Sequence, residues 1–323
     1  MGDPTGGTGG SPVARGRRSF RPAAAGGITA SVGAAFLWAT YYVFLLLLPG
    51  VSPLVLTVVP FLVGAVGFFA LLAVRGLPPR EWLVGWARPG TLFRGGLLLA
   101  LQVDVVLATR LTGAVDTSLA TLLGDALVTP LLVSASYGTG GERLRWRSFQ
   151  AGIGLSTAGA VLAIVGGGTV AGLRPEGALL LLPLPIFVGV YFASVAQRAQ
   201  VEPMPRLVAQ ASATAAFLGL PVGFLLGGTW FSAAGLTAGS LGVLGVMGIT
   251  SFFVAPWAYF YAASRLSLVV PAVLQALIPV FTLLLVVAFA LGSVDPYAWV
   301  GVPLAFVGGV LAVQEPPGRP RTG

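Results

Sequence analysis

The chain has 323 residues, of which 56 % are hydrophobic and 9 % charged; 18 basic residues against 10 acids give a net charge of +8, and there is no cysteine or histidine. Soluble domains carry about 25 % charged residues, so a mean hydropathy of +0.92 makes the lipid bilayer the solvent of this fold. The missing side chains exclude disulfides, thiolate and HExxH metal sites, cysteine nucleophiles and serine–histidine catalysis, and neither a metal nor a cofactor is expected.

Residues 1–27 are rich in Gly, Pro, Ala and Arg, lack periodicity and read as a disordered cytoplasmic tail with a basic cluster of Arg15, Arg17, Arg18 and Arg21. Arg17-Arg18-Ser19-Phe20 has the outline of a twin-arginine signal, but no cleavage site closes a short apolar region, so the cluster reads as a retained anchor. From residue 28 onward, apolar stretches of about 20 residues, enough to cross ~30 Å of hydrocarbon, alternate with short polar breaks. The predicted spans cover 28–48, 53–74, 92–110, 116–137, 148–168, 177–197, 207–227, 240–262, 268–291 and 297–314, with 315–323 as a second tail. The 46 glycines and 24 prolines suit such a bundle, where small residues bring backbones close and neighbouring helices satisfy groups freed by proline. The pattern predicts an all-α membrane protein of ten transmembrane helices.

The chain repeats itself without a gap at an offset of 149 residues: Trp38 falls on Phe187, Tyr42 on Tyr191, Pro130 on Pro279, Gly152 on Gly301 and Gly159 on Gly308. A cytoplasmic N-terminus puts every arginine except Arg110 and Arg174 on the inner side, as the positive-inside rule requires, and both termini in the cytoplasm. The positive charge is thus topological, and no nucleic-acid partner is expected. Each half has five spans, an odd number, so the second half enters the membrane upside down. The halves are 28–168 and 177–314.

In the first half, the residues of note are Leu37-Trp38-Ala39-Thr40, Ser118-Leu119-Ala120 leading to Pro130, Gly141-Glu142-Arg143-Leu144, Gln150-Ala151-Gly152 and Gly159; the second repeats Pro279-Val280-Phe281 and Gly301 to Gly309. In this order and spacing the chain resembles the EamA-type carriers of the drug/metabolite transporter superfamily, built from two five-helix EamA repeats. The resemblance implies two inverted EamA repeats, a small-molecule substrate and a multi-pass place in the cell (inner or plasma) membrane. Two features depart from it. Gly292-Ser293-Val294-Asp295 replaces the second Gly-Glu, and the first half carries intramembrane acids that are not a family hallmark.

Five features are candidates for function or packing. Gly152, Ser156 and Gly159, and likewise Gly301, Ala305 and Gly308, make small-residue faces that want a close helix neighbour, as a sliding or a static seam. Pro130 and Pro279 each remove a backbone hydrogen bond near mid-span and are expected to break their helices beside a cavity. Ser118, Thr121, Asp125, Thr129 and Ser136 form one polar stripe; Asp125, near the bilayer centre, is the first choice for substrate binding or proton coupling. Asp104 is the second intramembrane acid, and Arg110 reads as an outer-end residue snorkelling to headgroups. Trp38, Tyr41 and Tyr42, with Tyr191, the Thr250–Trp257–Tyr261–Ser264 stripe and the pair Gln275 and Thr282, would give a cavity aromatic walls and a few hydrogen bonds.

The function expected is secondary transport of a small organic metabolite or drug by alternating access, with proton-coupled export. No GxxxxGK[ST] motif for ATP is present. The scarcity of buried basic residues favours neutral or cationic amphiphiles, apolar amino acids included, over phosphorylated substrates. The alternatives are a non-transporting scaffold or sensor, and an intramembrane aspartyl protease using Asp104 and Asp125.

Overall fold

The computed structural model describes residues 20–136, 145–166, 175–199, 201–227, 230, 232–233, 235–266, 271, 274–292 and 294–313. Among them every regular element is a helix: α1 (Phe20–Leu47), α2 (Pro53–Val74), a short α3 (Pro79–Trp82), α4 (Pro89–Thr112), α5 (Ala114–Leu123), α6 (Thr129–Ser136), α7 (Arg147–Gly166), α8 (Pro175–Leu181), α9 (Leu184–Arg198), α10 (Met204–Leu226), α11 (Ala238–Met247), α12 (Ala255–Arg265), α13 (Ile278–Ala288) and α14 (Pro296–Val313). The tails 1–19 and 314–323, the motif at 141–144 and Arg174 lie outside the described residues.

Among the described residues, six helical stretches are long and apolar enough to cross a membrane: Ala25–Leu47, Pro53–Val74, Pro89–Thr112, Leu179–Arg198, Met204–Leu226 and Ala238–Arg265. The protein is a multi-pass, all-α membrane protein. The first helix begins at Phe20, so residues 20–27 of the expected tail are helical. Pro22 fits the first turn, where its missing N–H has no intrahelical partner to lose, and Ala23-Ala24-Ala25 is strongly helix-forming.

Two of the expected spans, 116–137 and 268–291, are interrupted. Between α5 and α6 the chain makes a widened turn, Gly124–Val128, in which the Thr129 N–H reaches back five residues to the Gly124 carbonyl. Before α13, residues 276–277 form a turn, the Leu277 N–H bonds Leu274, and the helix restarts with Pro279 in its first turn. A second widened turn, Gly248–Val254, joins α11 to α12, with the Ala255 N–H bonded to the Thr250 carbonyl. Pro256 follows it directly, as Pro130 follows the first.

Helices α7 and α14 pack on each other through the two small-residue faces. A methyl group added at Gly308 would fall 2.7 Å from the Gly152 carbonyl oxygen, and one at Gly159 would fall 2.6 Å from that of Gly301. Only glycine permits this approach, and Ser156 and Ala305 are fully buried between the same backbones. None of these residues lines the central cavity described below.

Loops also pair at each end of the bundle. At one end the α1–α2 turn meets the α10–α11 connection: the Leu54 N–H donates to Trp230 (3.2 Å) and the Ser52 hydroxyl to the Ser232 carbonyl (3.2 Å). Arg110 closes this end of the bundle, its guanidinium donating to the carbonyls of Leu48 and Val51. Rather than snorkelling, it satisfies carbonyls left over where α1 ends. At the other end the α2–α4 connection docks on α10. Gln210 donates to the carbonyls of Trp82 (2.7 Å) and Val84 (3.1 Å), and the Trp86 indole donates to Thr214 (2.8 Å). Glu202, in the α9–α10 loop, there gathers Arg198, Arg206 (3.3 Å) and, from the first half, Arg88 (3.6 Å).

Partial burial works against ionisation of Glu202, but the hydrogen bond and charge of Arg198, then those of Arg206, outweigh it and hold the carboxyl below its ordinary range. A depressed carboxylate contributes stability above its unfolded value, about 4.3, and loses it as pH falls through the lower folded value. Glu202→Gln is therefore expected to lower stability at pH 7 by about 1 kcal/mol. Thermal unfolding in detergent should show the gap to the parent chain closing below about pH 4; a constant gap would mean that the carboxylate's charge is not its source.

Candidate functional site

Both halves of the chain face a cavity whose empty space, counted to its opening, is about 830 Å³. From the first half come Trp38, Tyr41 and Tyr42 of α1, Phe61 of α2, Leu98, Leu101, Gln102 and Val105 of α4, Thr121 of α5 and Asp125 of the first widened turn. From the second come Val188, Tyr191 and Phe192 of α9, Val208 and Ser212 of α10, Ser251 and Phe252 of the second widened turn, Pro256 and Phe260 of α12 and Ile278 of α13. The enclosure is aromatic and apolar with a few polar groups, the usual make-up of a small-molecule site.

The widened turns place the chemistry. Proline has no N–H, and the N–H preceding each proline is drawn back to Gly124 in one turn and Thr250 in the other. The carbonyls of Asp125 and Ser251, five residues before Pro130 and Pro256, are thereby left without an intrahelical donor. Both residues line the cavity. The Ser251 carbonyl accepts from the Trp38 indole (3.1 Å), while the Ser251 hydroxyl donates to Leu37 (3.1 Å), so α1 is pinned to this turn. Glycines allow the close packing that holds both turns. A methyl on Gly124 would fall 2.7 Å from the Pro185 carbonyl oxygen, and one on Gly64 would fall 2.8 Å from that of Phe252.

Asp125 is 8 % exposed. It shares the cavity wall with Tyr42. Thr121 donates to the Ser118 carbonyl (2.9 Å), which leaves its oxygen to accept from the Tyr42 hydroxyl (2.8 Å). The Tyr42 oxygen then keeps a lone pair for a donor in the cavity. The Tyr41 hydroxyl and the Gln102 amide oxygen are buried with no protein partner, and both residues line the same space. Buried polar groups of this kind are normally satisfied, and a bound solute would satisfy them here. The rings brace one another: Trp38 meets Phe192 edge-on (6.1 Å) and Tyr259 at a tilt (5.6 Å), and Tyr41 meets Phe252 edge-on (5.3 Å).

Of the residues singled out from sequence, Asp125, Thr121, Trp38, Tyr42 and Tyr191 come together on this cavity. Pro130 lies in α6 just past the first widened turn, and Pro279 is buried in the first turn of α13, next to the lining residue Ile278. The remaining four residues do not line it, and for Gln275 and Trp257 this corrects the expected placement. Gln275 is spent between α1 and the segment before α13, its amide donating to the Ser31 hydroxyl and the Pro271 carbonyl (both 3.3 Å). Trp257 is 40 % exposed and stacks on Tyr261 outside the bundle, where the Arg265 guanidinium lies over the Tyr261 ring. The widened turn shifts the register of α12, so a stripe carried through it at helical spacing points the wrong way; Pro256 and Phe260 face the cavity instead. Asp104 and Thr129 are buried, with Asp104 Oδ2 and the Thr129 hydroxyl unpartnered, but neither lines the cavity. Among the lining residues not assigned to the site from sequence are the polar Gln102, Ser212 and Ser251, and Pro256. Pro256, inside an apolar span like Pro130, was the available signal.

The EamA-like transporter family model matches residues 175–314. The C-terminal half of this chain is similar to an EamA-like transporter domain. Solved structures match more of the chain. One protein crystal structure covers 91 % of this chain and 98 % of its own at 21 % identity, with a TM-score of 0.63, which shows a shared fold across both halves. A comparison with curated proteins finds no match.

Proposed function

We propose that this protein is a secondary transporter that carries a small organic solute across the cell membrane by alternating access, with proton coupling through Asp125. The observation that carries this reading is the cavity: its wall is drawn from both halves of the chain, and one of those halves is similar to an EamA-like transporter domain. Two five-helix repeats, 28–168 and 177–314, would rock about it. Their inversion is supported by the loop pairs. The α1–α2 turn meets the α10–α11 connection at one end, and the α2–α4 connection meets the α9–α10 loop at the other. Loops that correspond between the halves thus lie at opposite ends of the bundle. The positive-inside bias puts both termini in the cytoplasm. Reporter fusions at Gly140 and Gly323 are then expected to read cytoplasmic and one at Gly235 external; an external Gly323 would overturn the ten-span topology.

A protease reading would need two carboxyls sharing one site. Asp125 lines the cavity and Asp104 does not, which argues against that pairing. The reading is tested by flux of a metabolite panel in proteoliposomes with and without an imposed pH gradient. Gradient-dependent movement of at least one solute is expected, and its absence across the panel would favour a scaffold or sensor.

A further inference from the structure

The cavity's chemistry narrows the solute, an inference that rests on reading the cavity as the transport site. Among the described residues lining it there is one ionisable carboxyl, Asp125, and no basic side chain. Arg110 and Arg94 do not line it: they donate to the Leu48 and Val51 carbonyls and to Thr91, and each keeps one buried, unpartnered Nε. An anionic or zwitterionic solute would have to bury a carboxylate or phosphate without a partner, at a cost of several kcal/mol.

Beside the Tyr41, Tyr191 and Ser212 hydroxyls, which can donate or accept, the wall carries four acceptors. The Asp125 carboxyl and backbone carbonyl, the spare lone pair of Tyr42 and the unpartnered Gln102 amide oxygen all want a donor. The rest of the wall is largely rings, whose negative faces attract cations. We propose that the ligand is an organic monocation, a protonated amine on an apolar or aromatic body, with its N–H groups at Asp125 and Tyr42 and its body among Trp38, Phe192 and Phe252. The aromatic faces and the lack of any cation on the wall reject the neutral and zwitterionic forms of the same skeleton.

The test compares three probes of one skeleton, 2-phenylethylamine, 2-phenylethanol and phenylalanine, by calorimetry on the purified full chain in detergent at pH 7. The amine is expected to bind at least about tenfold tighter than either of the others, a ratio of the size that one desolvated cation–π and ionic contact supplies. Asp125→Asn should remove that preference while leaving the affinity for the alcohol within about twofold of the parent's, and Asp125→Glu should retain it. Equal binding of amine and alcohol, phenylalanine binding as tightly as the amine, binding by none of the three, or an amine preference that survives in Asp125→Asn would each overturn the proposal. Binding in detergent needs no transport, so the two readings fail separately. An amine that binds selectively but crosses no proteoliposome counts against transport alone, and a neutral solute carried independently of Asp125 counts against the cation alone.

Discussion

Asp125→Asn is expected to reduce pH-gradient-driven flux in proteoliposomes by on the order of 100-fold while leaving membrane insertion and thermal stability near the parent's. An aspartate at the centre of a membrane helix costs roughly 2.5 to 3.5 kcal/mol on insertion scales; relief of most of that cost on protonation would correspond to a population shift of on the order of 100-fold. Asp125 sits where such a shift can act, buried in the widened turn between α5 and α6 and facing both α1 and α9 across the cavity. Asparagine keeps the size and hydrogen-bonding capacity of the neutral acid but cannot exchange a proton. Counterflow of saturating solute at equal pH on both sides should therefore persist in the variant, at a higher solute concentration than the parent needs, even as gradient-driven flux is lost. Undiminished gradient-driven flux would remove Asp125 from the coupling step and turn attention to Asp104, which is buried with one oxygen unpartnered.

Pro256→Ala should lower flux by about tenfold, corresponding to ~1.4 kcal/mol, without loss of stability. An N–H restored at position 256 can bond the Phe252 carbonyl four residues back, which lets the Ala255 N–H move from Thr250 to the Ser251 carbonyl, in competition with the Trp38 indole that now bonds it at 3.1 Å. The widened turn could then tighten toward regular helix, which would turn Ser251 and Phe252 relative to the cavity and loosen α1 from the second half. Flux by the purified variant, read beside its melting temperature, checks this. A tenfold loss with an unchanged or higher melting temperature fits the role assigned to the turn, whereas unchanged flux would mean that the turn's irregularity plays no part in transport.

The fold was legible where the signal is summed over many residues. Span length, hydropathy and the arginine bias need no knowledge of contacts, and the Gly152–Ser156–Gly159 and Gly301–Ala305–Gly308 faces could be read because glycine at helical spacing serves close packing. The prolines were legible as breaks, but the form of each break was not. A widened turn adds a residue to the helical count, so a stripe such as Thr250–Trp257–Tyr261 that looks continuous at regular spacing is divided by the turn at 248–254. Gln275 was misplaced for another reason. A buried amide whose nitrogen donates to Ser31 reads the same in sequence as one facing a ligand, and the partner lies more than two hundred residues away. The Glu202 cluster escaped likewise, because Arg88 and Glu202 meet only once both halves are folded. Asp125 stood out since an acid in an apolar span carries its cost wherever the helix packs. Its position in the repeat is singular: Leu274 stands 149 residues later, so the two halves share a wall but not its charge.

The account turns on a single cavity that opens to each side of the membrane in turn, and the chain is suited to a direct test because it has no cysteine of its own. Gln102→Cys puts one thiol on the cavity wall. Membrane-impermeant thiol reagent is then applied to right-side-out vesicles and, separately, to inverted ones. Alternating access predicts labelling from both sides, each slowed by saturating solute. Labelling from one side only, at a rate that solute and pH gradient leave unchanged, would contradict it.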